Sequence, residues 1–216
     1  MSNNSFILIL ARGGSKRVPE KNMQVLREGE TLLSRCVNTC CQTGITTYVS
    51  SESLEILDHA AEHGAEPLLR PVKFATDTAS SVSAAMHACE KILSETIILV
   101  QVTSPFVSAD DILGGLEMHK KTKKSIFAAV NRKEFLWGWS NDCPIFPHFL
   151  GVRSQDLPPV FQPCGAFYVA SVEDLLTTES FFKPHAQPYE LPVERALDID
   201  NKMDLEFARY LCHQQQ

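Results

Sequence analysis

A chain of 216 residues with 44% hydrophobic and 21% charged side chains has the length and composition of one globular domain, which excludes disordered and collagen-like classes. Its 20 basic against 26 acidic residues give a formal charge of −6, so broad nucleic-acid binding by phosphate neutralisation is excluded and any anion must be held at a local site. The longest apolar runs, Phe6–Ala11 and Ile97–Val100, are too short to span a bilayer and Met1–Ser5 lacks the pattern of a signal peptide, so a soluble, cytoplasmic protein with no membrane partner is expected.

Phe6–Ala11 is apolar throughout and stopped by Arg12-Gly13-Gly14, as a buried central parallel strand would be. A helical pattern starts at Thr31 and closes near Gly44, and β-branched Thr46–Ser50 returns as a strand, completing one βαβ unit. The alternation continues with a helix over Ser53–His63, a strand over Glu66–Leu69, a helix over Ser80–Leu93, a strand over Thr96–Val102, a helix over Ala109–Lys121 and a strand over Ser125–Asn131. The basic run Lys120–Lys124 closes the last of those helices, where cations complement the dipole. This rhythm predicts a three-layer α/β/α sheet with right-handed crossovers and ligands beyond the carboxyl ends of the strands.

From about Arg132 to Pro163 the rhythm breaks. Phe135, Leu136, Trp137, Trp139, Phe146 and Phe149 gather with prolines and no regular period, which reads as an inserted arm that packs on another subunit, over a pocket, or back on its own domain. Regular structure resumes at Gly165–Val169, followed by a short helix and an amphipathic helix over Met203–Cys212. The seven cysteines are odd in number and show no zinc spacing, so reduced, mostly buried thiols are expected.

The chemistry concentrates at two places. Arg12-Gly13-Gly14-Ser15-Lys16-Arg17, with Lys21 and Asn22, sets four cations and two glycines at the end of the first strand. Glycine lets backbone N–H groups approach an anion, and the cations and the Ser15 hydroxyl supply charge and a donor. The loop is neither a Walker loop nor G-x-G-x-x-G. Near the other end, Asp198-Ile199-Asp200 places two carboxylates at i and i+2, on one side of an extended segment, which suits Mg2+ shared with phosphate oxygens, unless Asp200 simply caps the helix that follows. Arg70-Pro71, Asp77–Ser81 and Gln101–Pro105 end other elements and could line the same cleft or be ordinary turns. No histidine sits in a Ser/His/Asp or Cys/His set, so covalent catalysis has no support.

The stretch Ile9–Lys16 with Pro19, Lys21 and Asn22 resembles the signature loop of the acylneuraminate cytidylyltransferases, the CMP-sialic acid synthetases. Arg70-Pro71, Ala75–Ser81, Leu99–Pro105, Arg153–Pro158, Gly165–Tyr168 and Asp198–Asp200 follow in that family's order over nearly the whole chain. The resemblance implies one cytidylyltransferase domain over residues 1–216 with a Rossmann-like nucleotide-diphospho-sugar transferase fold, a mainly parallel sheet and a dimerisation and sugar-site arm at about 132–163. It further implies CTP, Mg2+ and a sialic-type nonulosonic acid, whose anomeric hydroxyl attacks the α-phosphate of CTP to release pyrophosphate and leave a CMP-sugar, in a homodimer whose arms reach the partner's site.

By the same resemblance Arg12, Lys16, Lys21 and Asp200 are catalytic. Ala11, Arg12, Gly13, Ser15, Lys21 and Asn22 hold the nucleotide, with Arg70 and Ser81. Gln101, Arg153, Gln155, Tyr168, Phe181 and Phe182 face the sugar, and Asp198 and Asp200 carry the metal, Asp200 as direct ligand. Three departures fall on the sugar side: Ser154 where relatives carry a second basic residue, Cys164 where they carry an amide in Gln162-Pro163-Cys164-Gly165, and Trp137 in the arm. They point to a nonulosonic acid other than N-acetylneuraminate, such as a legionaminic-type sugar, or to a tolerant pocket. The competing expectations are a cytidylyltransferase for 3-deoxy-octulosonate, a nucleotidyltransferase for another base, and a non-catalytic CTP-binding paralogue.

Overall fold

The computed structural model describes residues 4–134, 139–140, 143–144 and 151–214. Its strands in chain order are β1 Ser5–Leu10, β2 Val25–Arg27, β3 Glu30–Thr31, β4 Thr47–Ser51, β5 Glu66–Leu69, β6 Thr96–Val100, β7 Ile126–Arg132, β8 Trp139–Ser140, β9 Cys143–Pro144, β10 Val160–Ser171 and β11 Gln187–Glu190. The helices are α1 Leu32–Cys41, α2 Leu54–Glu62, α3 Ser81–Lys91, α4 Ala109–Thr122, α5 Val172–Thr178 and α6 Lys202–Gln214. Seven strands form the central sheet in the order β11-β7-β10-β6-β1-β4-β5, and β2-β3 and β8-β9 form two small ribbons.

The apolar run of β1 is buried on both faces because its side chains alternate. Ile7 and Ile9 join a core with Leu33 and Val37 of α1, Leu116 of α4 and Leu205 of α6. Phe6 and Leu8 join the opposite core with Ala85 and Ala88 of α3 and Leu175 of α5. The result is three layers, as the alternating pattern predicts. β1 lies parallel to β4 and β6, with Ile9 opposite both Val49 and Val100.

Ser and Thr residues start the helices. Thr31, Ser53, Ser80, Ser108 and Ser171 each accept a backbone N–H of the first turn of α1 to α5, a contribution of about 1 kcal/mol per cap. Gly115 brings α4 close to the sheet, since a Cβ there would stand 2.5 Å from the Phe167 ring.

One feature agrees with the sequence reading and two depart from it. β10 runs antiparallel to both neighbours, pairing Tyr168 with Leu99 and with Phe127, so the sheet is mainly parallel, as the resemblance implies. It begins at Val160, so Val160–Pro163, assigned to the arm, are sheet residues that pair with Arg132–Ala129. β11 has no counterpart in the sequence reading: it is short and carries Pro188, and its strand character comes from parallel pairing with β7 at the sheet edge. The arm residues Phe135, Leu136, Trp137, Phe146 and Phe149 lie outside the described residues, as do the side chains of Trp139 and Ser154.

Candidate active site

The loop after β1 crosses the carboxyl ends of β1, β4 and β6, where a parallel sheet gathers ligand groups. Gly13 donates its backbone N–H to Glu52 Oε1 at 2.8 Å, just beyond the end of β4. The other oxygen, Glu52 Oε2, accepts from Arg70 Nη2 at 3.2 Å. Arg70 is only 4% exposed, and burial pulls its pKa down while the Glu52 carboxylate opposes that. Glu52 thus ties the loop to Arg70. Because the Gly13 N–H is used in this way, that glycine serves the loop's anchorage and its amide is taken by a carboxylate of the chain itself. Asn22 Nδ2 fixes the other side of the loop by donating to the Arg12 carbonyl oxygen at 2.9 Å.

The loop's cations face Asp77, which accepts from Arg12 Nη1 at 3.0 Å and pairs with Lys16 Nζ at 2.6 Å. Lys16 and then Arg12 hold the Asp77 carboxyl below its usual range. Between the loop and residues 70–84 lies a cleft of about 500 Å³. Arg12, Ser15, Lys16, Lys21 and Asn22 line it from the loop, Arg70 and Ser81 from across, and Gln101 and Thr103 from the floor. A wall of cations with hydroxyl donors opposite is suited to a polyphosphate.

The carboxylate segment closes one end. Arg195 clamps the preceding turn by donating to both oxygens of buried Asp111 at 2.8 Å, and the Ile199 N–H donates to the Thr103 carbonyl oxygen at 2.9 Å. Ile199 is fully buried. Lys21 Nζ donates to the Ile199 carbonyl oxygen at 2.7 Å and stands 3.9 Å from Asp200 Oδ1, and Arg17 reaches the same oxygen at 3.1 Å. Burial lowers the Lys21 pKa, opposed by Asp200 and Asp198. Burial likewise raises that of Asp198, and the charge of Asp200 adds to it.

Asp200 does not cap α6. Asn201 Oδ1 accepts from the Met203 and Asp204 N–H groups, and Asp204 Oδ2 accepts from those of Asp200 and Asn201. The Asp200 side chain is left to the cations. Asp198 Oδ1 is buried without a hydrogen-bond partner, an arrangement that is costly unless something else occupies it. Among the described residues no three His, Cys, Asp or Glu side chains gather as a metal site. Two carboxylates beside a cationic cleft fit a hard divalent ion that takes its remaining ligands from phosphate and water.

A second cavity of about 350 Å³ lies on the far side of Asp198. The register of β10 against β7 shifts between Pro163 and Tyr168, and this bulge contains Gly165 at φ 78°. A Cβ on Gly165 would stand 3.5 Å from Asp198 Oδ2, so the bulge lets the backbone approach the carboxylate. Arg132, Gln162, Cys164, Tyr168 and Asp198 line this cavity. Burial raises the pKa values of Cys164 and Tyr168, so both are neutral near pH 7.

Some residues singled out from the sequence stand apart from both cavities. Ala11 is fully buried and its N–H donates to the Ser50 carbonyl oxygen at 3.1 Å. Gln155 lies in the 3-10 turn Ser154–Asp156, and Arg153, just before it, donates from Nε to Asp156 Oδ2 at 2.8 Å. Phe181 is 4% exposed in the core of α3 and α5. Phe182 is half exposed and packs on Phe127 and Tyr168, so both phenylalanines support Tyr168 from behind. Glu52 and Arg132 were not singled out from the sequence, whereas Arg17 was counted among the loop's cations and Asp77 and Thr103 fall in stretches read as possible cleft lining. Position at a strand's carboxyl end marks Glu52, and the Asp77–Ser81 stretch, which the sequence left open as cleft lining or ordinary turn, lines the cleft through Asp77, Ala79, Ser80 and Ser81.

Residues 6–141 match the cytidylyltransferase family. Over 94% of both chains the sequence is 33% identical to the pseudaminic acid cytidylyltransferase of Campylobacter jejuni. It is 28% identical over 91% of both chains to the CMP-N,N'-diacetyllegionaminic acid synthase of Legionella pneumophila. Against the N-acylneuraminate cytidylyltransferase of Escherichia coli it is 27% identical over 96% of this chain and 52% of that one. Among solved structures, a CMP:2-keto-3-deoxy-manno-octonic acid synthetase complexed with CTP superposes with a TM-score of 0.75 at 14% identity, covering 98% of this chain and 99% of that chain. The 4-diphosphocytidyl-2C-methyl-D-erythritol synthase of Anaerococcus prevotii superposes at 0.68 and 13% identity, covering 99% and 100%. Both share the fold.

Proposed function

The chain belongs to the cytidylyltransferase family, and from that premise we propose that it transfers CMP from CTP to the anomeric hydroxyl of a sialic-type nonulosonic acid. The observation that carries this reading is that the Asp198–Asp200 segment touches both cavities: Lys21 and Thr103 of the cationic cleft bond to Ile199, and Asp198 lines the second, more neutral cavity. Arg12, Lys16, Arg17 and Lys21 would neutralise the triphosphate, and Arg70, Ser81 and Asn22 would hold the nucleoside end. The acceptor would enter from the Tyr168 side. Its anomeric hydroxyl gives up its proton to water, the oxygen forms the new bond to the α-phosphorus, the bond to the bridging oxygen of the β-phosphate breaks, and pyrophosphate leaves. Such transfer depends mainly on positioning and on neutralising phosphate charge.

Asp198 and Asp200 would hold Mg2+, which when bound would supply positive charge at the phosphate oxygens. The reading includes a cytoplasmic location and a homodimer, for which light scattering should give twice the chain mass of 24.1 kDa. The described residues contain no helix long and apolar enough to cross a membrane.

Pseudaminic acid is the first acceptor to test, since the Campylobacter relative that is named for it matches along the whole domain. Pyrophosphate release with CTP and Mg2+ should be measured against pseudaminate, N,N'-diacetyllegionaminate, N-acetylneuraminate and 3-deoxy-octulosonate. Acceptor-dependent release with a nonulosonate supports the reading. Release with 3-deoxy-octulosonate alone replaces the sugar class, and no release with any acceptor, CTP still bound, removes the enzymatic reading.

A further inference from the structure

The second cavity holds a charge pattern that the family resemblance does not assign. Among the described residues lining it, Arg132 is the one cation and Asp198 the one carboxylate. Arg132 is the last residue of β7, two positions beyond Val130, which also lines the cavity. Its Nε donates to Gln162 Oε1 at 3.2 Å, and Nη1 stands 3.6 Å from the exposed carboxylate of Glu134, beyond hydrogen-bond distance. Gln162 occupies the side edge of the guanidinium, which orients the end-on edge formed by its two terminal nitrogens. A planar pair of N–H donors on that edge matches the two oxygens of a carboxylate.

An acceptor that is a keto-acid sugar carries its carboxylate on the carbon that also bears the reacting hydroxyl. It therefore needs a cation close to the place where the hydroxyl reacts. Arg132 supplies that cation, in the same cavity as Asp198. Arg153, the cation suggested by the resemblance, is committed to Asp156 outside this cavity in the described chain. We propose that Arg132, held in place by Gln162, binds the carboxylate of the acceptor acid in the cavity between β7, β10 and Asp198. The assignment rests on the reading of the chain as a transferase to such an acid.

The test compares wild type with Arg132→Gln and Arg132→Lys, using pseudaminic acid and its C1 carboxamide as probes. Binding is measured by calorimetry in the presence of CTP, and the KM values for acceptor and CTP are measured separately. Wild type should prefer the acid to the carboxamide by on the order of 10- to 100-fold, the size of one charge-assisted carboxylate contact. Arg132→Gln should lose that preference and raise the acceptor KM by a similar factor, with the KM for CTP and the melting temperature unchanged. Arg132→Lys should recover part of the preference, because it restores the charge without the fork. An acid-over-carboxamide preference retained in Arg132→Gln overturns the proposal, and so does failure of wild type to distinguish or to bind the two probes. Turnover by wild type is scored separately, so binding that follows Arg132 without any CMP transfer would overturn the transferase reading and leave the carboxylate contact standing.

Discussion

Lys21 donates to the carbonyl oxygen of Ile199 at 2.7 Å across 178 positions of sequence. That bond fastens the loop after the first strand to the segment carrying Asp198 and Asp200, the two ends of the chain where the sequence concentrates its chemistry. Because Asn201 rather than Asp200 caps the last helix, the Asp200 carboxylate is available to Arg17 and Lys21 and to an incoming cation.

Replacing Asp200 by Asn keeps the size and shape of the side chain and removes its charge. If Asp200 holds the metal, kcat should fall by about 100-fold or more, with the melting temperature little changed because the residue is half exposed and caps nothing. Steady-state assays over a Mg2+ titration decide the matter. Near-normal turnover at saturating Mg2+ would take Asp200 out of the metal site.

Glu52 connects Gly13 to Arg70. Removing it by Glu52→Ala leaves a buried guanidinium with no counter-charge, which costs about 3 kcal/mol or more when one partner of a buried pair is lost. Urea unfolding should show that loss, and the KM for CTP should rise because both the loop and Arg70 shift. An unchanged unfolding midpoint would mean that Arg70 finds another partner or reaches water.

The bulge at Gly165 has a left-handed backbone, and a Cβ there would meet Asp198. Gly165→Ala should therefore destabilise the fold by about 1–2 kcal/mol from the backbone alone. The added methyl would touch Asp198 Oδ2 at an ordinary contact distance of 3.5 Å, so any loss of turnover should come from a shift of the strained bulge, with CTP affinity unchanged. A variant with wild-type melting temperature and kcat would show that the bulge relaxes freely.

The pair of Asp111 and Arg195 sets an acid limit on stability. Burial alone would raise the Asp111 pKa, but hydrogen bonds from Arg195 and Ser108 overcome it and leave the value below the usual 3.8. A carboxyl whose folded pKa is depressed contributes stability that is fully present above its unfolded value and is lost as pH falls through the folded one. The contribution should be about 1–2 kcal/mol, moderated by the solvent that reaches Arg195. Melting temperatures between pH 6 and pH 3 should fall less steeply for Asp111→Asn than for wild type. Parallel curves would remove Asp111 from the acid response.

How much of this was legible in the sequence follows from the range of the interactions. The apolar run of β1, the Ser and Thr helix starts and the basic glycine turn are local signals, and the structure has the corresponding elements within a residue or two. β11 is a strand only because β7 lies beside it, and the start of β10 at Val160 is fixed by pairing with Arg132, so neither carries a period of its own. Gly13 looks like an anion-binding glycine until Glu52, 39 positions away, takes its N–H. Phe181 and Phe182 follow the family pattern, but in the fold they back Tyr168 instead of lining a cavity. Arg132 closes a strand next to an irregular segment and has no motif around it, so only the cavity makes it visible.

The most direct test of the account is a phosphorus NMR record of the purified protein with CTP, Mg2+ and pseudaminic acid. The account predicts loss of the triphosphate signals with matched growth of pyrophosphate and of one phosphodiester resonance, that of the CMP-sugar, dependent on the acceptor. Unchanged CTP with pseudaminate and with each of the other nonulosonates would contradict it.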